Sequence, residues 1–379
     1  MPWRTVNSVL PEGRYYYTGA EAVAEGAIAA GCGYFAGYPI TPTTEVMEHI
    51  AHRFPEVGAV FMQMEDEIAS VCSCVGASWA GRKSMTVTSG PGFSLMQEGL
   101  GHALMTETPM VLVDGQRAGP STGQVTVGAG DVMQARWGMH GGMPTIATAP
   151  WSVQELYDGA IRAFNIAEKY RTPVLVMAEA ATMHLRETLE VPAQVEVYER
   201  DKAPGQPPFG CAAPDGVPPM PAFGEGEKLL VTASTHNEWG FRRTADPETE
   251  RVLVNRLYNK VMMHVDELAE VERYYLDDAE EAIVAYGFTA RAALAAVESL
   301  RTDGRKVGLM RLLTLWPFPQ KAVKELGSRV KRILVPEMNL GQMVYVVDAA
   351  ADCQVVPYTQ MDGTVIYPSS IVNALGRAA

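Results

Sequence analysis

No Cys-x-x-Cys occurs in this chain, and its five cysteines are scattered at positions 32, 72, 74, 211 and 353. An iron–sulfur cluster needs a set of closely spaced thiolates, so the chain offers no ligand set for one. Cys72 and Cys74 lie two apart on an expected helix, where side chains diverge by about 200° and cannot share a metal. Buried thiols acting as small apolar residues are the expectation here. Positive charge is also short: 31 Lys and Arg stand against 44 Asp and Glu, a net charge of −13. That balance argues against nucleic acid as a partner. No apolar run reaches the length of a membrane span, and Met1-Pro2-Trp3-Arg4 opens no signal peptide, so the expected location is the cytoplasm. Dinucleotide and P-loop fingerprints are missing too. Ser89-Gly90-Pro91-Gly92-Phe93 turns tightly into a helix but has neither glycine pattern; shaping a pocket with its backbone N–H groups is the role expected of it.

What is present fits an α/β protein. A chain of 379 residues, 47% apolar and 20% charged, is comfortable for two domains. After an expected exposed arm over 1–14, helix spacing runs from Thr18 and stops at Gly31 and Gly33. Strand Tyr34–Tyr38, helix Thr44–Phe54, strand Ala59–Gln63, helix Asp66–Ala80, strand Ser84–Thr88, helix Phe93–Met105 and strand Met110–Asp114 follow. Strand Thr145–Thr148, helix Ser152–Glu168 and strand Pro173–Ala178 come next. Such alternation predicts a mostly parallel, doubly wound sheet covered by helices on both faces. Pro192 to Gly226 holds eight prolines and five glycines and reads as a linker or meandering loop. Beyond it, an expected strand Lys228–Thr232 and helix Thr249–Glu267 lead into a second α/β unit. The boundaries are 1–191, 192–226 and 227–379.

The stretch that organises the chain is Gly33-Tyr34-Phe35-Ala36-Gly37-Tyr38-Pro39-Ile40-Thr41-Pro42-Thr43-Thr44. Pro39 and Pro42 stiffen the exit of a strand, and Thr43 or Thr44 can cap the next helix. By itself this is equally well an ordinary rigid loop. Tyr38-Pro39-Ile40-Thr41-Pro42, however, resembles the signature of the 2-oxoacid:ferredoxin oxidoreductases, in the subunit with the pyrimidine-binding domain. Three more matches follow in order: Met64-Glu65-Asp66-Glu67, Thr88-Ser89-Gly90-Pro91-Gly92-Phe93-Ser94-Leu95-Met96-Gln97-Glu98, and Arg117-Ala118-Gly119-Pro120-Ser121-Thr122-Gly123. Thinner matches are Leu315-Trp316-Pro317-Phe318-Pro319 and Pro336-Glu337-Met338-Asn339-Leu340-Gly341-Gln342. The likeness is nearest to alpha subunits that act on 2-oxoglutarate.

This resemblance implies a pyrimidine-binding thiamine diphosphate domain followed by a transketolase C-terminal-like domain. It makes Glu67 the carboxylate that hydrogen-bonds the aminopyrimidine ring and promotes loss of the cofactor's C2 proton. An acidic first helical turn would by itself also account for Glu65, Asp66 and Glu67. Arg117 is the implied fork for the substrate carboxylate, with Thr41 beside it. Tyr38, Pro39, Ile40, Ser89, Gly90, Pro91 and Phe93 are implied cofactor neighbours. Arg136 and His140 can reach the distal part of a substrate, or serve only a helix-to-turn junction. No basic residue lies in Gln124–Gly130, which weakens the case for a second substrate carboxylate; pyruvate, branched-chain and aryl 2-oxoacids stay open. At Gly19-Ala20-Glu21, Ala20 departs from the asparagine expected of relatives.

The Gly-Asp-Gly segment with which thiamine diphosphate enzymes hold Mg²⁺ and diphosphate is absent. The implied beta subunit must supply it, and gamma and ferredoxin-like subunits the iron–sulfur clusters, with coenzyme A as co-substrate. A non-catalytic structural subunit, or a thiamine diphosphate enzyme that uses no ferredoxin, are the alternatives. The acidic charge would repel an acidic ferredoxin, which places its docking on a partner too. Purified alone and reconstituted anaerobically with iron and sulfide, the chain should give no cluster signal by electron paramagnetic resonance; a stoichiometric signal would refute this reading.

Overall fold

The computed structural model describes residues 2–377. Its larger sheet has eight strands, seven of them in the order Thr314–Trp316, Ile146–Thr148, Pro173–Glu179, Met110–Ala118, Lys83–Thr88, Cys32–Gly37 and Val60–Gln63. All are parallel except Thr314–Trp316; the eighth strand, Gln124–Val127, folds back antiparallel on Met110–Ala118. Helices Gly19–Ala29, Thr44–Val57 and Val153–Tyr170 bury Val23, Val46, Ile50 and Leu156 on one face. Helices Glu67–Trp79 and Pro91–Met105 bury Val71, Phe93 and Met96 on the other. The sheet is doubly wound, as its alternating elements predict. From Cys32–Gly37 the chain moves outward to Val60–Gln63, then returns past its start to Lys83–Thr88. That reversal opens a crevice at the strands' carboxyl ends, where open α/β sheets bind ligands.

A second sheet runs Val271–Tyr274, Val307–Leu312, Glu281–Tyr286, Arg332–Glu337 and Gln354–Thr359, parallel but for the first. Its core is continuous with one face of the larger sheet, one apolar cluster joining Val71 and Met96 to Ile283, Leu309 and Leu334. Two segments join the units directly. Thr314–Trp316 completes the larger sheet, and Trp316 Nε1 donates to the Val132 carbonyl at 2.9 Å. In Pro336–Gln342, Asn339 donates to the Ala129 carbonyl at 2.7 Å and the Met338 carbonyl accepts from Ala129 N–H at 2.9 Å. Glu337 accepts from the N–H groups of Gln342, Met343 and Val344 and caps helix Met343–Ala350, the favoured place for an anion.

Several expectations need correction. The presumed arm is two strands: Trp3–Asn7 pairs with Gln194–Tyr198 and Gly13–Thr18 with Arg186–Val191. Partners so distant in the chain leave no local trace. Lys228–Thr232 forms no strand; Leu229 and Val231 rest on the core while Leu230 faces out, so the alternation reports one buried face without pairing. Thr43 stands at the cap of helix Thr44–Val57, but its hydroxyl donates to the Ile40 carbonyl at 2.9 Å. Cys72 and Cys211 are exposed rather than buried, Cys72 sharing the outer helix face with Ile68 four residues before it. No helix among the described residues is long and apolar enough to cross a membrane.

From Glu199 to Asp246 the chain forms no helix or strand, only an isolated bridge between His236 and Arg242. It is nonetheless packed. Arg171 is fully buried and donates to the carbonyls of Pro208, Pro218 and Pro219 at 2.7–3.0 Å, and to that of Glu107. Proline carbonyls suit this task, since a proline has no N–H to satisfy in return. Buried Glu107 holds Arg256 and Lys260 of helix Pro247–Met262, the latter at 2.7 Å. Burial alone would raise the Glu107 carboxyl, but Lys260 and Arg256 outweigh it and hold it well below the usual range. Glu107→Gln strands these cations and should destabilise the chain by about 3–5 kcal/mol. A depressed carboxyl stabilises the fold above its unfolded titration, and the gain is lost as pH falls. Urea melts at neutral and acid pH should therefore separate wild type from variant by less in acid.

Candidate active site

The crevice at the reversal point is walled by a turn held on both sides. Thr43 N–H bonds the Ile40 carbonyl at 2.8 Å, and Pro42 and Thr43 pack on Gly115, where any Cβ would overlap them. Tyr38, Pro39 and Thr41 are exposed on this turn and Ile40 is half-buried. Strand Met110–Ala118 outruns its neighbours, pairing Lys83–Thr88 only to Asp114 and Pro173–Glu179 only to Gln116. Arg117 therefore lies past the sheet, backed by Val127 of the return strand. Its Nη1 donates to the Thr41 carbonyl at 2.8 Å; its Nε is buried without a partner.

Glu67 opens helix Glu67–Trp79, whose cap is Asp66 accepting from Ala69 N–H at 2.7 Å. Glu67 is 5% exposed, and among the described residues no hydrogen bond or ion pair reaches its carboxylate. Gly92 lies against it: a Cβ there would collide with both Glu67 Oε1 and Thr88 Oγ1. Gly90 at φ +42 turns the chain into helix Pro91–Met105. Ser89 is buried with its hydroxyl unpartnered, whereas Phe93 is wholly inside the core. Glu67, Thr41, Arg117 and the Ser89–Pro91 turn thus meet at one sheet edge.

A cavity of about 620 Å³ opens beside them between the two units. Gly90, Pro91, Arg117 and Asp131 line one side, Asn339, Leu340 and Gln342 the other. Gln342 Nε2 donates to the Gly130 carbonyl at 2.5 Å and its Oε1 accepts from Met133 N–H at 2.9 Å, so the second unit fixes the loop that carries Asp131. Arg136 and His140 stay outside. Arg136 donates to the Met143 carbonyl at 2.9 Å and stacks on Trp137, and the His140 side chain is 89% exposed.

Asp114 and Asp131 were not singled out from the sequence. Asp114 is fully buried, both of its oxygens without a donor. Burial, then neighbouring Asp131, holds its carboxyl well above the usual range. Burial raises Asp131 as well, while Arg117 pulls it back. The available signal was an acid ending the apolar run Met110-Val111-Leu112-Val113. Among the described residues no group of three His, Cys, Asp or Glu side chains is placed to hold a metal ion.

A doubly wound sheet with an unpartnered buried glutamate, two aspartates with buried carboxyl oxygens and a buried guanidinium at its reversal point, closed by a second α/β unit, defines a ligand-binding α/β protein of two units. Residues 25–256 match the family model described as pyruvate flavodoxin/ferredoxin oxidoreductase, thiamine diphosphate-binding, and residues 279–371 that of pyruvate:ferredoxin oxidoreductase core domain II. The chain belongs to the pyruvate flavodoxin/ferredoxin oxidoreductase family. It is 46% identical to the 2-oxoglutarate synthase subunit KorA of Methanothermobacter thermautotrophicus, over 95% of this chain and 98% of that one. The subunit of the same name from Methanocaldococcus jannaschii is 50% identical over 88% and 90%. Ketoisovalerate oxidoreductase subunit VorB of M. thermautotrophicus is 35% identical over 95% and 97%. Among solved structures, 2-oxoglutarate:ferredoxin oxidoreductase from Magnetococcus marinus, with 2-oxoglutarate, coenzyme A and succinyl-CoA bound, superposes with a TM-score of 0.91 at 32% identity. The match covers 97% of this chain and 65% of that one.

Gly92→Ala tests the crowding at Glu67. It should destabilise the chain by about 1–3 kcal/mol through overpacking. Gly76→Ala, where a Cβ meets nothing within 4 Å, should instead stabilise its helix by about 0.4–1 kcal/mol. Paired denaturant melts read the difference.

Proposed function

We propose that this chain is the pyrimidine-side subunit of a thiamine diphosphate-dependent 2-oxoacid:ferredoxin oxidoreductase, and that its substrate is 2-oxoglutarate. The reaction is the coenzyme A-dependent oxidative decarboxylation of the 2-oxoacid to an acyl-CoA, with reduction of ferredoxin. Arg117 is the observation that carries this reading. A guanidinium at the sheet edge with a free buried Nε suits the carboxylate that every 2-oxoacid carries beside its reacting carbonyl. Thr41 holds Arg117 in line through its carbonyl and offers its hydroxyl from the same turn.

The residues present fit thiamine diphosphate. Glu67 is a buried carboxylate that lacks a donor, and a ring nitrogen carrying a proton would satisfy it; Ser89 lends an unpartnered hydroxyl nearby. Tyr38, Pro39, Ile40, Gly90 and Pro91 shape the surrounding wall. When bound, the cofactor supplies the electron sink for decarboxylation. Glu67 holds and returns the proton at the ring nitrogen.

No segment here is suited to Mg²⁺ and diphosphate, so a beta subunit supplies them and covers Glu67. Tyr38, Met62, Ile68 and Leu95 are each 39–50% exposed around that carboxylate, an apolar rim suited to a partner. Gamma and ferredoxin-like subunits carry the iron–sulfur clusters and receive ferredoxin, and the complex works in the cytoplasm. Of the described residues lining the cavity, Arg117 is the single cation. The distal carboxylate of 2-oxoglutarate is then held by the neutral groups of Ser94, Ser121 and Gln134, or by a partner's cation. The same observation favours a second reading, a branched-chain 2-oxoacid.

In the reconstituted complex, Arg117→Lys keeps the charge but loses the fork. It should weaken apparent 2-oxoglutarate affinity roughly ten- to a hundredfold, as loss of about 1.5–3 kcal/mol implies, with thiamine diphosphate binding unchanged. Glu67→Gln should slow exchange of the cofactor's C2 proton by about 10²–10⁴-fold, and Glu65→Gln far less. Wild-type kinetics in Arg117→Lys would remove the clamp, and faster turnover of 2-ketoisovalerate than of 2-oxoglutarate would move the substrate to the second reading.

A further inference from the structure

Bidentate capture of a carboxylate depends on where the guanidinium stands as much as on its charge. Among the described residues the Arg117 side chain has one hydrogen bond, to the Thr41 carbonyl, so its backbone must supply the rest of its placement. Beyond Gln116 the only ladder partner of that strand is the return strand Gln124–Val127. The pairing is irregular, with a register shift between Arg117 and Ala118. Such a shift re-aims a side chain but interrupts the ladder. Whatever holds the return strand and the loop after it therefore places Arg117.

The second unit holds them at two points. On one side the Met338 carbonyl and Asn339 Nδ2 take the N–H and the carbonyl of Ala129 at 2.9 and 2.7 Å. Gln342 Nε2 donates to the Gly130 carbonyl at 2.5 Å, and its Oε1 accepts from Met133 N–H at 2.9 Å. On the other side Gly363 lies so close to the return strand that a Cβ would overlap Gln124 Oε1 and Thr126 Oγ1. The grip passes on through backbone contact. A Cβ at Gly128 would come within 2.8–2.9 Å of Ala118 N, Ala118 Cα and the Arg117 carbonyl carbon. Gln116, the residue before Arg117, ties the loop back by accepting from Asp131 N–H at 3.2 Å.

We propose that Gln342, braced by Asn339, is a positioning residue for substrate capture: it clamps the loop after the return strand onto the backbone of Arg117. The second unit thereby sets the affinity of the first for a 2-oxoacid. The role rests on the assignment of Arg117 to the substrate carboxylate. Asn339 is 1% exposed and fixes the turn, its Oδ1 accepting from Gly341 and Gln342 N–H at 2.7 and 3.1 Å. Half-buried Gln342 directs both ends of its amide to the loop. Docking of the two units does not hang on it. Trp316 bonds the Val132 carbonyl, Arg311 bonds Glu155 at 2.7 Å, and Arg291 bonds Glu187 at 2.8 Å. Loss of the Gln342 bonds is then felt in the loop and at Arg117, with the units still joined.

The test uses the assembled complex with thiamine diphosphate and Mg²⁺, and whichever of 2-oxoglutarate and 2-ketoisovalerate turns over faster. Gln342→Met keeps the bulk and removes both bonds. KM should rise roughly three- to tenfold, as loss of one or two neutral hydrogen bonds implies, with a smaller change in kcat. Gln342→Glu keeps the acceptor for Met133 and loses the donor to Gly130, and should move KM in the same direction. In an Arg117→Lys background Gln342→Met should add less than about twofold, because residues that act through one another are not additive. In the full chain, hydrogen exchange of the Asp131 and Met133 amides should quicken in Gln342→Met while residues 111–113 keep their protection. Unchanged KM in both Gln342 variants, with Arg117→Lys weakened, overturns the positioning role alone. A fall in kcat at constant KM, or a full additive loss on top of Arg117→Lys, also overturns it and makes Gln342 a structural tie. Wild-type KM in Arg117→Lys removes the clamp and the positioning role with it.

Discussion

Arg117 is 94% removed from solvent, yet its one hydrogen bond goes to a carbonyl. Burying a charge without an ion-paired partner costs several kcal/mol, and the surrounding fold is what keeps that cost in place. The overlong strand carries Arg117 past the sheet, and the stiff proline turn presents the Thr41 carbonyl to it. Gly115 lets that turn sit close, and the return strand at Val127 stops the overhang from fraying. On the far side, Gln342 and Asn339 of the second unit pin the loop at Ala129–Gly130. Apart from the Thr41 carbonyl, which accepts from Nη1, these devices act on backbone rather than on the guanidinium, which leaves its charge available to a ligand.

The elements around the first sheet were legible because each is a short local code. An apolar run, a turn and a capped amphipathic helix follow one another within some thirty residues. Ser152 caps its helix as its residue type predicts, while Asp66, expected inside the first turn, proves to be the cap of helix Glu67–Trp79. What escaped was nonlocal. Trp3–Asn7 becomes a strand only through a partner near residue 195. Thr314–Trp316 is too short to show a period and is made a strand by Ile146–Thr148. The Leu315–Pro319 and Pro336–Gln342 segments stood out only through resemblance, with no role evident from their residues. Both prove to dock one unit on the other. Of the site, Glu67, Thr41 and Arg117 stood out through their motifs, while Thr88 and Asp114 looked like ordinary strand residues until their unpartnered oxygens were seen.

The proline-rich segment shows how an irregular chain can be ordered without pairing. Glu107 and Arg171 both adopt left-handed backbone, at φ +49 and +45, a conformation disfavoured for such side chains by about 1–2 kcal/mol. Both side chains enter the same buried ion cluster, Arg171 collecting the proline carbonyls and Glu107 the cations of helix Pro247–Met262. Backbone strain, charge and proline geometry are thus concentrated at one knot. Composition alone suggests a mobile linker there; Phe209 packed on Trp79 and the buried Met220 show a fitted strap.

The borrowed strand Thr314–Trp316 also has a bearing on how the chain is made. Ile146–Thr148 has no outer neighbour until more than 160 further residues have left the ribosome. At about 5–20 residues per second, the nascent sheet keeps an open edge for roughly ten to thirty seconds. An unpaired edge is a template for pairing with another chain. Nascent-chain crowding and chaperone capture should therefore bear most heavily on this interval, after the first sheet is complete in all but its last strand.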